Sequence, residues 1–158
     1  APSVLREDCG DYFELDGDSP YMLMCANVKG ERCLPFDIEA SLNESDMDML
    51  KVVNTRRSDI PAVTHVDYSA RIQTVDGKYN KDYYEIIKEF KKLTGCSVLV
   101  NTSFNVRGEP IVMSPEDAYR CFMRTEMDVL AMENFLIFKN EQDKYQEEID
   151  WRREYDLD

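Results

Sequence analysis

From Tyr83 to Asp117 the chain carries the punctuation of helix, strand, loop and helix in immediate succession, and that order leaves few fold classes open. Tyr83, Ile86, Ile87, Phe90 and Leu93 recur at helical spacing, with Lys88, Glu89, Lys91 and Lys92 on the other face and Gly95 where such a helix stops. CSVLVNT (96–102) follows, an uninterrupted apolar run that predicts a strand buried on both faces. After a polar loop, Ser114-Pro115-Glu116-Asp117 supplies an N-cap hydroxyl, a proline at the first helical position and acids at the positive end of the helix dipole. Ala118, Cys121 and Phe122 give this second helix an apolar stripe.

The rest of the chain fits around that unit. YMLMCANV (21–28) reads as a short buried strand after the extended entry at Ser19-Pro20. AVTHVD (62–67) and ARIQTV (70–75) read as extended pieces, and DGKYN after them as a turn. DVLAMEN and FLIFKN (128–140) predict two final strands joined at Glu133-Asn134. Residues 29–60 differ in kind, and are expected to form an insertion or flap with a short helix at Met47, Leu50 and Val53. A length of 158 residues suits one domain, so the prediction is an α/β or α+β domain with a twisted mixed sheet flanked by helices. Residues 141–158 read as an acidic tail, either a docking helix or a solvated end.

A net charge of -13 argues against a nucleic-acid groove or an anionic membrane surface, because both need clustered Lys and Arg. No apolar stretch approaches the roughly 20 residues that span a bilayer, and APSVLRED lacks the layout of a signal peptide. The chain therefore reads as soluble and cytoplasmic. Its five cysteines form an odd set without a CxxC pair, which fits reduced, buried thiols. His65 is the only histidine, so no metal ligand set is assigned.

NTSFNVRGEPIVMSPEDA (101–118) has the residue types of an oxyanion site. Asn101, Thr102, Ser103 and Asn105 can donate hydrogen bonds, Arg107 offers a planar fork, and Gly108 permits a sharp turn. The alternative is a long turn whose side chains cap their own backbone. Arg71 has two readings as well: an exposed residue of a short strand, or a pocket cation facing away from Ile72. His65 reads as a hydrogen-bonded structural residue, and Tyr21 and Met22 as core. Ser103 has no histidine near it in sequence, so covalent catalysis is unsupported. Chemistry here would be of the positioning and charge-neutralising type that phosphoryl and adenylyl transfers use.

AVTHVDYSARIQTV, followed by LTGCSVLVNTSFNVRGEPIVMSPEDAYRCFMRTEMDVLAMENFLIFK, resembles the carboxyl-terminal region of the NodU/CmcH carbamoyltransferases. That family includes antibiotic O-carbamoyltransferases acting on nebramycin-type and cephem substrates. APSVL and SPYML resemble the start of the same region, so the likeness covers residues 1–140 apart from the 29–60 insertion. The resemblance implies a YrdC-like fold that converts ATP and carbamoyl phosphate into a carbamoyl-adenylate, with Mg2+ as charge partner. It also implies a partner N-terminal domain that transfers the carbamoyl group to an acceptor hydroxyl. Residue by residue, Arg71 and Ser103 would do the anion chemistry, with Asn101, Asn105 and Arg107 lining the same pocket. Thr64 and His65 would be its neighbours, and Met22 would pack near the adenine.

In the family a basic segment ending in an Arg-Pro-Phe-type run precedes APSV, whereas this chain begins at Ala1. The expectation is an excised domain that lacks part of its anion site and is inactive alone. A non-catalytic nucleotide- or partner-binding module is the rival reading, and RNA modification is disfavoured by the acidic balance. The acceptor stays open, as does oligomeric state, a homo-oligomer included.

Overall fold

The computed structural model describes residues 1–36, 53–106 and 108–143, and the chain divides into two compact units, Ala1–Asn101 and Thr102–Asp158. The predicted α+β class is borne out, with a mixed four-stranded sheet in the first unit and a two-stranded sheet in the second.

Strands β1 (Pro2–Leu5), β2 (Met24–Asn27), β3 (Ser69–Val75) and β4 (Val98–Val100) form the larger sheet in the order β2-β3-β1-β4. β1 runs parallel to β3, with Ser3 opposite Gln73, and antiparallel to β4, with Val4 opposite Val98. β2 pairs antiparallel with β3, which sets Cys25 opposite Arg71. Side chains alternate across this sheet. Val4, Ala70, Ile72 and Val98 face one core, packed with Tyr12 and Phe13 from the end of the short helix α1 (Cys9–Tyr12). Leu5 and Val75 face the other, packed with Ile87 of α2 (Lys81–Thr94).

α2 starts and stops for local reasons. The Asn80 side chain accepts from the Tyr83 amide at 3.2 Å, and Gly95 takes the left-handed conformation at φ 78, its amide donating to the Lys91 carbonyl at 2.8 Å. Of the predicted stripe only Ile87 is fully buried, a burial worth about 2 kcal/mol, while Ile86 and Leu93 stay largely in water.

The sheet corrects several expectations. Neither YMLMCANV nor CSVLVNT is buried throughout: β2 and β4 are the edges of this sheet, Leu23 is 80% exposed and Val100 55%. An apolar run signals burial by something, yet an edge strand has a neighbour on one side only. AVTHVD is not extended either. Pro61–Val63 is a 3-10 turn, and a tight turn from His65 to Tyr68 follows, with Tyr68 at φ 64. β1, in the middle of the sheet, was not anticipated as a strand. Two cysteines are buried, Cys9 and Cys121, while Cys25 is exposed and Cys33 and Cys96 are half-buried; all five are free thiols.

In the second unit α3 (Pro115–Arg124) begins as expected, the Ser114 hydroxyl accepting from the Asp117 amide at 3.1 Å. β5 (Val129–Met132) and β6 (Phe135–Phe138) form the predicted hairpin, turning at Glu133-Asn134 with Glu133 at φ 50. Ala118, Phe122 and Leu130 make the core between helix and hairpin. The Lys139 ammonium donates to the Phe122 and Thr125 carbonyls at the carboxyl end of α3, where a cation offsets the dipole. The predicted flap helix at Met47 and Leu50, and the tail from residue 144, lie outside the described residues. No helix among the described residues is long and apolar enough to cross a membrane.

Candidate functional site

β3 organises the candidate site through its alternation. Ile72 is fully buried, so Arg71 and Gln73 point to the opposite face of the sheet. Arg71 is exposed and has no ion-pair or hydrogen-bond partner among the described residues. A guanidinium left open on a chain of net charge -13 is a presented cation.

Beside it lies a polar network that joins β1, β3 and the residue just after β4. The Ser3 hydroxyl donates to Gln73 Oε1 at 2.7 Å, and Asn101 Nδ2 donates to Gln73 Oε1 at 2.8 Å and to Ser3 Oγ at 3.1 Å. Gln73 Nε2 in turn donates to the Pro20 carbonyl at 3.2 Å. Ser3 is fully buried, and this network meets its hydrogen-bonding demand. Asn101, predicted as a donor to a ligand, thus spends its amide inside the sheet, and its Oδ1 has no partner among the described residues. Ser3 and Gln73 were not among the predicted residues, although Gln73 follows Arg71 at the strand period and could have been read from ARIQTV.

Thr64 and His65 sit in the turn before β3 rather than on a strand. The Thr64 hydroxyl donates to the Ile60 carbonyl at 3.0 Å and lies 2.7 Å from Ser58 Oγ. His65 Nδ1 lies 3.1 Å from Ser69 Oγ, and the ring is exposed, as a turn-fastening histidine should be. The Ser69 hydroxyl and amide hold the Asp67 carboxyl below its usual range in the same turn. Met22 is half-buried and left-handed at φ 59, an unusual conformation for a residue without Gly's freedom.

Ser103 and Asn105 belong to the second unit. Ser103 is exposed. Asn105 Nδ2 donates to the Val106 and Glu109 carbonyls at 3.1 and 2.8 Å, the self-capping arrangement that was the alternative for this loop. The Glu109 amide donates back to the Val106 carbonyl at 3.0 Å, and Gly108, at φ 83, supplies the left-handed residue of that turn. Glu109 Oε2 accepts from the Val106 amide at 3.2 Å. Arg107 lies outside the described residues.

Sequence comparison places the chain in a family. The sequence model described as "Carbamoyltransferase C-terminus" matches residues 1–139. Over its full length the chain is 54% identical to the uncharacterized protein sll1178 of Synechocystis sp., of which it covers 25%. Nodulation protein NolO of Bradyrhizobium diazoefficiens is 39% identical over 88% of this chain and 22% of the relative. The 3'-hydroxymethylcephem-O-carbamoyltransferase of Streptomyces clavuligerus is 31% identical over 83% of this chain and 20% of the relative. The chain therefore spans a quarter or less of these relatives' lengths. On the match across residues 1–139, the chain belongs to the carbamoyltransferase C-terminus family, the NodU/CmcH type.

Proposed function

We propose that this chain acts as the C-terminal part of an O-carbamoyltransferase, binding ATP and carbamoyl phosphate to form a carbamoyl-adenylate. An N-terminal domain of the parent protein would then pass the carbamoyl group to an acceptor hydroxyl. The observation that carries the reading is Arg71, an exposed guanidinium without a partner among the described residues, beside the Ser3–Gln73–Asn101 network. Such a fork donates best to phosphate or carboxylate oxygens. Ser103 and Arg107 are proposed as anion donors in their own loop, within the YrdC-like fold that the resemblance implies. Asn105 and Thr64 shape their loops, His65 fastens the approach to β3, and Met22 contributes its apolar surface.

Mg2+ would supply charge neutralisation on the triphosphate. Among the described residues no group of three or more His, Cys, Asp or Glu could hold a metal ion, so phosphate oxygens are its fitting ligands. The chemistry asked of the chain is positioning and charge stabilisation, for which no nucleophilic side chain is required.

Calorimetric titration of this chain with Mg·ATP, and separately with carbamoyl phosphate, tests the reading. Arg71→Ala and Ser103→Ala should each weaken both ligands about 10-fold or more, the loss typical of a charge-assisted hydrogen bond. Unchanged binding in Arg71→Ala would remove the anion site from β3.

A further inference from the structure

The β5–β6 hairpin has two faces, and its core lies on only one of them. Directly opposite residues share a face, and successive pairs alternate. Leu130 and Ile137 therefore turn toward α3, while Val129 with Phe138 and Ala131 with Leu136 turn the other way. All four residues of that second face are apolar and all four are exposed, Leu136 at 59%. Each strand also has a neighbour on one side only, so the hairpin keeps open edges. A contiguous apolar face rimmed by polar groups is the kind of surface that a protein partner covers.

The rim carries one sign of charge. Glu133 sits at the turn, and Glu126, Asp128 and Glu141 lie at the open end, all exposed and without an ion-pair partner among the described residues. Lys139 is the only basic residue from 126 to 143, and its ammonium is engaged by the Phe122 and Thr125 carbonyls. That charge selects the occupant. A second copy would set the same acids against themselves, and residues 144–158 are net acidic as well. An anionic bilayer would be repelled too. A basic partner gains attraction at both ends of the hairpin. β5 is four residues long, so the two acidic ends lie roughly 13–17 Å apart, the span of about five extended residues. An extended segment can also pair its backbone with an open edge and turn alternate side chains onto the bare face, which a helix cannot do.

We propose that the bare face and an open edge of the β5–β6 hairpin form a docking site for an extended segment of another protein, apolar on alternate residues and carrying Lys or Arg at both ends. Leu136 and Phe138 supply the larger apolar contacts, and Glu133 and Asp128 receive the two basic ends.

The test is fluorescence-anisotropy titration of this chain into a labelled peptide with two lysines at each end of a Val-Thr-Val-Thr-Val centre. Two control peptides replace the lysines by glutamates or the valines by serines. The wild type should bind the lysine-ended, valine-bearing peptide about 10-fold or more tightly than either control. Leu136 is exposed, so Leu136→Thr should keep the wild-type unfolding midpoint while weakening that peptide about 10-fold. Asp128→Asn with Glu133→Gln leaves the apolar face intact and should weaken it about 2- to 5-fold, with a flatter dependence on salt. Absence of binding up to millimolar peptide, or equal affinity for the lysine- and glutamate-ended peptides, overturns the proposal. Binding that ignores both Leu136→Thr and the double charge variant places the peptide elsewhere and overturns it as well. A concentration-dependent dimer in sedimentation that Leu136→Thr dissociates would make a second copy the occupant, with the same consequence. These titrations contain neither ATP nor carbamoyl phosphate, so their outcome is separate from that of the nucleotide reading above.

Discussion

Glu109 and Arg124 face one another as a buried ion pair, 3.5 Å apart, with side chains only 9% and 7% exposed. The same carboxylate accepts from the Val106 amide, so one acid ties the 101–113 loop both to its own backbone and to α3. Removing one partner of a buried pair leaves the other charge desolvated, which costs about 3–5 kcal/mol. Glu109→Ala should destabilise the chain by that amount in urea unfolding, and Glu109→Gln by less. Equal stability of Glu109→Ala and wild type would mean that the pair is solvated.

Tyr84 donates its hydroxyl to Glu7 at 2.5 Å, and that bond, ahead of burial and the negative charge of Glu7, pushes the phenol from its ordinary 10 up to about 12. The folded-state value is the raised one, so the stabilisation is fully present below pH 10. It is lost as pH rises from about 10 to about 12. The difference in unfolding midpoint between wild type and Tyr84→Phe should therefore be constant up to pH 10 and vanish across that window. A difference that persists at pH 12 would contradict the bond.

Thiol reactivity should follow burial. Burial, with a smaller contribution from Asp18, pushes the Cys9 thiol up to about 11, whereas Cys25 is exposed on the edge strand β2. In native protein at pH 8, iodoacetamide should alkylate Cys25 first and spare Cys9 until the chain unfolds, as read by peptide mass spectrometry. Labelling of Cys9 at the rate of Cys25 would show the first core to be open.

What could be read from sequence was what local chemistry decides. Gly95, Ser114 and Pro115 mark helix ends because capping is a contact between near neighbours, and Glu133-Asn134 marks the hairpin for the same reason. The face of Arg71 was legible too, since the strand period sends it opposite Ile72. Burial of YMLMCANV and CSVLVNT was over-read, because which strand lies at an edge depends on partners far along the chain. β1 escaped notice altogether for that reason, and Ser3, the buried hydroxyl of the site network, went with it. The roles of Asn101 and Asn105 were half-legible: both are hydrogen-bond donors as predicted, but both donate to the protein.

The central position of β1 also sets a timetable for biosynthesis. Ser3 pairs with Gln73 and Pro2 with Val100, so the strand leaves the ribosome long before either neighbour. At roughly 5–20 residues per second, several seconds separate β1 from β3, and more separate it from β4. Throughout that interval both edges of an apolar strand are unpaired, and the loops that must close are long, which slows the search for register. The nascent chain is then at its most exposed to aggregation and to chaperone capture, and the sheet can be completed only once β4 has emerged.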